Sequence, residues 1–306
     1  MDTGFIAVDW GSTNFRAYRV DVNGNVIDQV SSDQGVAKIS RDDMPAIVDA
    51  LVIRWPEEAG AIFCCGMIAS TIGWENIPYL QCPISATGLA ATLPILEIGG
   101  HVLHVSPGLS CQSIFGQPDV MRGEEIQYLG YLSALPEGSN IQGMICMPGT
   151  HSKWLSVQKG EAKHFSTTMT GDIFAALSQN GLLRTHLTEA VTFSAAFIEG
   201  LEYARSGGSL PRQLFSVRSR VVTGDLKNED AASYASGLLI GSEIDDALQA
   251  YADYIGSEAI TLIGSIALCD LYKNALEHFG QSARIIESHN ACIGGFRLLA
   301  RLKEEQ

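Results

Sequence analysis

The sequence predicts an α/β protein built from two lobes, and three observations carry that expectation. The chain has 306 residues, 46% hydrophobic and 18% charged, enough apolar material for two lobes or one large α/β domain with a sizeable core. Short apolar runs that end in glycine-containing turns alternate with stretches of helical periodicity. One arrangement occurs twice, near residues 9 and 149: an apolar strand, a Gly/Thr/Ser turn and an outgoing strand.

The elements follow in order. Residues 5–8 are apolar and lead to Asp9. After a small polar turn, Phe15, Ala17, Tyr18 and Val20 give a second strand, so the two form a β-hairpin. Asn23-Gly24-Asn25 turns the chain into a third strand, 26–30. A helix is expected over 44–55, with Pro45 in its first turn and Pro56 as a stop. Residues 61–65 read as a short buried strand ending in Gly66, and 70–83 as a polar, aromatic loop. A strand over 102–105 ends in Ser106-Pro107-Gly108. The helix expected over 123–135 has Ile126, Leu129 and Leu132 on one face. The turn Pro136-Glu137-Gly138-Ser139 supplies the boundary, giving an N-terminal lobe 1–138 and a C-terminal lobe 139–306. In the second lobe, 141–147 is an apolar strand, and Pro148 to Lys153 form a polar turn. Trp154, Leu155 and Val157 then begin a returning strand, which Gly160 turns again. Residues 171–254 are mostly helical. A strand over 259–263 precedes Gly264-Ser265 and a helix over 268–279. A strand over 284–286 and a helix over 291–301, with Gly294-Gly295 near its start, close the chain. The apolar segments 193–201 and 237–244 are either core or a homodimer face.

Charge and composition exclude several classes. A formal charge of −14 and a pI of about 4.8 oppose binding to nucleic acid or anionic membranes, which need clustered Lys and Arg. No apolar run reaches transmembrane length, and Met1-Asp2-Thr3-Gly4 lacks the basic start of a signal peptide. The seven cysteines include no CxxC pair and read as reduced core residues of a cytoplasmic protein. The P-loop, GxGxxG, HExxH and GxSxG motifs are absent. His101 and His104 have no partners at zinc-ligand spacing.

The two repeated turns carry the chemistry. In the first, Gly11 lets an oxyanion approach the backbone, and successive N–H groups at Ser12 and Thr13 can cradle a phosphate. Asp9, at the end of a buried strand, can hold Mg²⁺ or its water shell. The plain alternative is a polar hairpin tip. The second turn presents Gly149, Thr150, Ser152 and Lys153. Two such turns facing one cleft can hold the two ends of a triphosphate, with Arg16 and Lys153 offsetting its charge. Taken alone, Lys153 is equally a solvated lysine, and Thr150 and Ser152 are ordinary turn residues. Their repetition in corresponding positions favours the phosphate reading. Gly264-Ser265 is either a close approach to a purine or a helix cap, and Gly294-Gly295 is similar. Asp119-Val120-Met121-Arg122-Gly123-Glu124-Glu125 places carboxylates at a helix start. That placement suits the helix dipole, and it also suits a base that deprotonates a hydroxyl acceptor, with Glu124 or Asp119 in the role. Arg122 is a partner for an acidic substrate or for either carboxylate. Asp172, in Thr170-Gly171-Asp172, is a competing base.

These features resemble the superfamily of actin, Hsp70 and the sugar kinases. The resemblance implies two ribonuclease-H-like (actin-like ATPase) lobes with an ATP cleft between them. Asp9, Gly11, Ser12, Thr13 and Asn14 match its first phosphate element, Gly149, Thr150 and Ser152 its second, and Gly264 and Ser265 its adenosine element. Four segments resemble the 2-dehydro-3-deoxygalactonokinase family more closely. They are Val8-Asp9-Trp10-Gly11-Ser12-Thr13-Asn14-Phe15-Arg16, Gly66-Met67-Ile68-Ala69-Ser70, the Asp119–Glu125 run, and Met147-Pro148-Gly149-Thr150-His151-Ser152-Lys153-Trp154. The implied reaction moves the γ-phosphate of ATP to the 6-hydroxyl of 2-dehydro-3-deoxy-D-galactonate, in galactonate catabolism. Mg²⁺ would lie near Asp9, and backbone amides of 11–13 and 149–151 would face the phosphates. Glu124 would be the base. Gly66, Met67, Ile68, Ser70 and Trp74 would border the sugar acid, with Arg122 or Arg16 on its carboxylate. Many sugar kinases of the superfamily carry Asp where Glu124 stands, which leaves Asp119 and Asp172 as alternatives. Rival readings are a kinase for another sugar or sugar acid, a phosphatase of the same superfamily, and a nucleotide-dependent switch. The last lacks room for a helix-turn-helix or a further substrate domain.

Overall fold

The computed structural model describes residues 4–136, 142–256 and 258–305. Its chain divides into two units, one of residues 1–142, 157–164 and 288–306, the other of 143–156 and 165–287. The boundary expected at residue 138 lies outside the described residues. The observed division also returns two later segments to the first unit, which a single cut does not capture.

The first unit opens with β1 (Phe5–Trp10), β2 (Phe15–Val20) and β3 (Val26–Ser32). They pair antiparallel in sequence order, as the hairpin spacing predicts. Pro45 sits in the first turn of α1 (Met44–Arg54), where its missing N–H has no intrahelical partner to lose. α1 buries Met44, Val48 and Leu51 beside Trp10 and Trp55. β4 (Ile62–Gly66) runs parallel to β1. Next come β5 (Leu80–Gln81), β6 (Ile84–Ser85), α2 (Ala86–Ala91), β7 (Ile95–Ile98), β8 (His101–Val105), β9 (Leu109–Gln112), β10 (Pro118–Met121) and α3 (Glu124–Ser133). The main sheet has the order β3-β2-β1-β4-β8-β7, and a small sheet has the order β10-β9-β5. β1 and β4 are central and buried on both faces, hence their continuous apolar runs.

In the second unit, β11 (Gln142–Met147), β12 (Ser152–Gln158) and β13 (Glu161–Thr168) form a meander. Four helices follow: α4 (Thr170–Gln179), α5 (Ala195–Arg205), α6 (Leu210–Thr223) and α7 (Ala231–Ala250). β14 (Ile260–Gly264), α8 (Ile266–His278) and β15 (Ala283–Glu287) complete it. Its strands are ordered β15-β14-β11-β12-β13, with β14 parallel to both neighbours. The apolar segments 193–201 and 237–244 belong mainly to α5 and α7, which face one another. A Cβ on Gly200 would lie 2.2 Å from the Tyr234 oxygen, and one on Gly237 2.1 Å from the Phe197 oxygen. Only glycine permits that approach on both sides.

The last helix, α9 (Ser288–Glu304), belongs to the first unit and packs on α3. Gly294 and Gly295 lie inside it. A Cβ on Gly295 would stand 1.9 Å from the Ile126 oxygen, and one on Gly130 1.9 Å from the Ala291 oxygen. The glycine pair therefore serves helix packing, which corrects the expectation of an element like Gly264-Ser265. The outer part of the β12–β13 hairpin also belongs to the first unit, where Glu161 and Ala162 pair with Ser85 and Ile84.

Candidate functional site

The first phosphate element is a tightly bound hairpin tip. Asp9 and Arg16 are register partners across β1 and β2. The Gly11 N–H donates to the Asn14 oxygen at 2.9 Å, closing the tip, so this amide faces the turn itself. Val36 and Ala37 N–H groups donate to the Gly11 and Ser12 oxygens at 3.0 and 2.9 Å. Gly35 lets that strand of chain lie flat, since a Cβ there would be 2.4 Å from Ser12. Thr13, Asn14 and Arg16 are exposed, Ser12 is half-buried, and Asn14 Nδ2 donates to Thr13 Oγ1 at 3.1 Å. Arg16 Nη1 lies 3.5 Å from Asp9 Oδ2, and the Cys65 thiol donates to Asp9 Oδ1 at 3.9 Å. Burial pushes the Asp9 carboxyl above its ordinary range, and Arg16 draws it back down.

The start of α3 stands beside this tip. Gly66 ends β4 at φ +92° with its Cβ position 2.7 Å from the Trp10 oxygen and 3.5 Å from Asp9 Oδ1, and Gly123 precedes α3 at φ +109° with its Cβ position 3.6 Å from the Gly66 Cα. Two glycines in left-handed conformations thus bring the acidic helix start to the end of β1 and β4. Glu124 Oε2 accepts the Arg122 N–H at 3.0 Å. Glu125 is fully buried. Its Oε1 accepts from Ser106 Oγ at 2.7 Å and its Oε2 from the Gly123 N–H at 2.5 Å. Burial pushes the Glu125 carboxyl up to about 7. Asp119 lies on β10, opposite Cys111, and accepts the Val120 N–H at 2.7 Å.

The segment expected to border the sugar acid is held from two sides. Met67, Ile68 and Ala69 form one 3₁₀ turn after Gly66. Ser70 Oγ donates to the Met67 oxygen at 2.7 Å, and the Trp74 N–H donates to the Ile68 oxygen at 2.8 Å. Arg122 Nη1 and Nη2 donate to the Ala69 and Ile77 oxygens at 2.5 and 2.8 Å. Its guanidinium lies 4.1 Å from the Tyr79 ring centre. Arg41 Nη2 donates to the Gly73 oxygen at 3.0 Å, and its guanidinium lies 5.8 Å from the Trp74 ring centre. Arg122, expected on the substrate carboxylate, therefore directs both terminal nitrogens at backbone carbonyls of this loop.

In the second unit, the turn between β11 and β12 exposes Thr150 and His151, while Ser152 and Lys153 are buried. Lys153 is thus no solvated surface lysine. Ser152 Oγ lies 3.1 Å from the Tyr272 hydroxyl. The Asp172 N–H donates to the Thr150 oxygen at 3.0 Å, and the Asp172 carboxylate lies 3.9 Å from His151 Nε2. Gly264 packs beside the same turn, its Cβ position 3.3 Å from the Pro148 oxygen. Ser265 occupies the N-cap position of α8 but makes no side-chain capping bond. An apolar cavity of about 230 Å³ opens next to Gly149 and Thr170. Phe174, Leu239, Leu268 and Leu271 are among the apolar residues that line it.

Glu125 and Glu243 are buried and are not among the candidate site residues. Helical spacing does signal them. Glu125 shares a face with Tyr128 and Leu129, and Glu243 with Ile240 and Ala247, all buried. Glu125 has one local partner, the Gly123 N–H, but Ser106 and the three partners of Glu243 come from distant segments and leave no local pattern.

An Escherichia coli (strain K12) protein named 2-dehydro-3-deoxygalactonokinase is 31% identical over 301 residues, covering 98% of each chain. The crystal structure of a candidate 2-dehydro-3-deoxygalactonokinase from Sinorhizobium meliloti superposes with a TM-score of 0.88 at 30% identity, covering 97% of this chain and 98% of the other. The activator of 2-hydroxyisocaproyl-CoA dehydratase from Clostridium difficile, solved with ADPNP, has a TM-score of 0.53 at 11% identity over 99% of this chain and 97% of its own. The last likeness shows the fold alone, that of the actin-like ATPases and sugar kinases. With a family model matched from residue 9 to residue 299, the chain belongs to the 2-keto-3-deoxy-galactonokinases, a family of kinases.

Proposed function

We propose that the protein transfers the γ-phosphoryl group of ATP to the 6-hydroxyl of 2-dehydro-3-deoxy-D-galactonate. The observation that carries this reading is the meeting of the Asp9 tip, Gly66 and the acidic start of α3 within one unit, in a chain of this kinase family. The acceptor oxygen attacks the γ-phosphorus, the bond to the β,γ-bridging oxygen breaks, and ADP leaves. Glu124 accepts the hydroxyl proton; its second oxygen, held by the Arg122 N–H, orients it. Asp119 and Asp172 are the alternative bases. The first tip offers Ser12 and Thr13 as phosphate-binding residues, with Asn14 and Arg16 beside them; within the second unit, Gly149, Thr150 and His151 form a phosphate-binding turn of their own. The buried Ser152 and Lys153 support that turn from within. The apolar cavity accommodates the purine, with Gly264 and Ser265 preceding the helix that supplies Leu268 and Leu271.

Asp9 suits Mg²⁺. It is a partly exposed carboxylate at the end of β1, 3.5 Å from Arg16 Nη1, with Ser12 and Thr13 following in the turn. Mg²⁺ takes few protein ligands where phosphates and water complete its shell. Among the described residues no cluster of three acidic, His or Cys side chains offers a full cage. When bound, the ion neutralises phosphate charge. The sugar acid lies along Gly66, Met67, Ile68, Ser70 and Trp74, on the loop that Arg41 and Arg122 hold. The seven buried thiols suit a reducing, cytoplasmic setting.

ADP release tests the reading, with Mg²⁺ present and 2-dehydro-3-deoxygalactonate, its gluco epimer, galactonate, glucose and N-acetylglucosamine offered separately. Turnover with the first acid is expected, falling by about 10²–10⁴-fold in Glu124→Gln. Stimulation by another sugar alone reassigns the acceptor. Phosphate release without any acceptor points to a phosphatase.

A further inference from the structure

The second unit contains a buried carboxyl that gathers four elements. Glu243, on α7, is 5% exposed. Its Oε1 accepts from Trp154 Nε1 at 2.8 Å, and its Oε2 accepts from the Tyr272 hydroxyl at 2.7 Å and from Thr170 Oγ1. Tyr272 has one hydroxyl proton and donates it in the hydrogen bond to Glu243, so Ser152 donates to the Tyr272 oxygen across 3.1 Å. The partners belong to β12, α4 and α8.

These partners surround one turn. Ser152 and Trp154 directly follow residues 149–151. Thr170 directly precedes Gly171, whose Cβ position is 2.4 Å from the Gly149 oxygen and 2.8 Å from the Thr150 Cα. The Asp172 N–H then donates to the Thr150 oxygen at 3.0 Å. Thr170 and Tyr272 also line the apolar cavity. An apolar set of equal volume commonly holds a fold as well as a buried charge does, or better. What a carboxyl with three donors adds is direction, because each donor must point at one of two oxygens.

We infer that Glu243 is a positioning residue for the nucleotide, fixing the 149–151 turn relative to the Thr170 and Tyr272 side of the cavity. This rests on the reading that the turn takes ATP phosphates. The residue touches no reacting atom and acts through its three partners.

The test uses the full chain and compares wild type with Glu243→Gln, Thr170→Val and Tyr272→Phe. ATP binding is measured by calorimetry, and KM is measured separately for ATP and for the sugar acid. Glu243→Gln keeps the volume but replaces an oxygen acceptor with a donor. Its Kd and KM for ATP are expected to rise about tenfold, because small misplacements of binding groups have large effects. KM for the sugar acid should stay within about twofold, since the partners of Glu243, Trp154, Thr170 and Tyr272, are not part of the 66–74 loop assigned to the acid. Thr170→Val and Tyr272→Phe should move the ATP constants in the same direction, and they carry the test if Glu243→Gln fails to fold. Unchanged ATP constants with only a lower melting temperature, or an equal rise in both KM values, overturn the inference. Wild-type protein that binds no ATP overturns the kinase reading and this inference together. Wild type and variants that bind ATP equally overturn this inference alone.

Discussion

Glu124 and Glu125 share a helix start and have opposite surroundings. Glu124 is half-buried and caps the Arg122 N–H, whereas Glu125 is enclosed with Ser106 and Gly123. The enclosed carboxyl titrates at about 7 because burial disfavours its charge, against an ordinary value of 4.5. Between those values the folded protein keeps a proton that the unfolded chain has lost. Its stabilising share is therefore complete below pH 4.5 and disappears as pH rises through 7. Glu125→Gln removes the titration. Urea unfolding from pH 4.5 to 8 should show wild type losing on the order of 2–3 kcal/mol more than the variant across that window. Parallel profiles would show that the carboxyl does not titrate there. The Glu-Glu pair is visible in the sequence, and helical spacing turns Glu125 inward. What separates their roles is Ser106, nineteen positions earlier, which no local pattern links to it.

The loop after Gly66 obtains its shape from two arginines outside it. A guanidinium offers a rigid fork of donors, which suits two carbonyls at once, and a lysine offers a point charge instead. Arg122→Ala should leave the Ala69 and Ile77 oxygens without those donors and loosen the loop. KM for the sugar acid is expected to rise about tenfold or more, with KM for ATP little changed, and Arg122→Lys should recover only part of the loss. Equal kinetics in all three proteins would remove the loop from the acid's site. At this scale the central strands of both large sheets and the helices α1, α3, α8 and α9 are marked in the sequence, whereas 171–254 reads only as mostly helical, without bounds for α4 to α7, and the short strands β5, β6, β9 and β10 do not stand out. The first hairpin declares itself through alternation from Phe15 to Val20, and α1 through its flanking prolines. β7 escapes notice because Ile95–Ile98 is a four-residue edge strand, too short for its period to stand out. Gly294-Gly295 misleads for a physical reason. Glycine admits any close backbone approach, and the sequence does not say whether a ligand or another helix approaches.

For the whole molecule, the recurrence of strand, glycine turn and strand in each half is written along the chain, because each copy is local. The return of α9 to the first unit is not, since its partner α3 precedes it by more than 150 residues. The reciprocal approach of Gly130 and Gly295 makes α9 integral to that unit. A chain ending at Glu287 would expose the face of α3 that α9 covers. Its circular-dichroism melt should lose cooperativity in the first unit, whereas retention of the full-length melting profile would mark α9 as dispensable. The same interlock orders events on the ribosome. The N-terminal part of the first unit leaves the exit tunnel early and keeps the face of α3 open to solvent until α9 is made. The second unit, translated later, has no segment beyond Glu287.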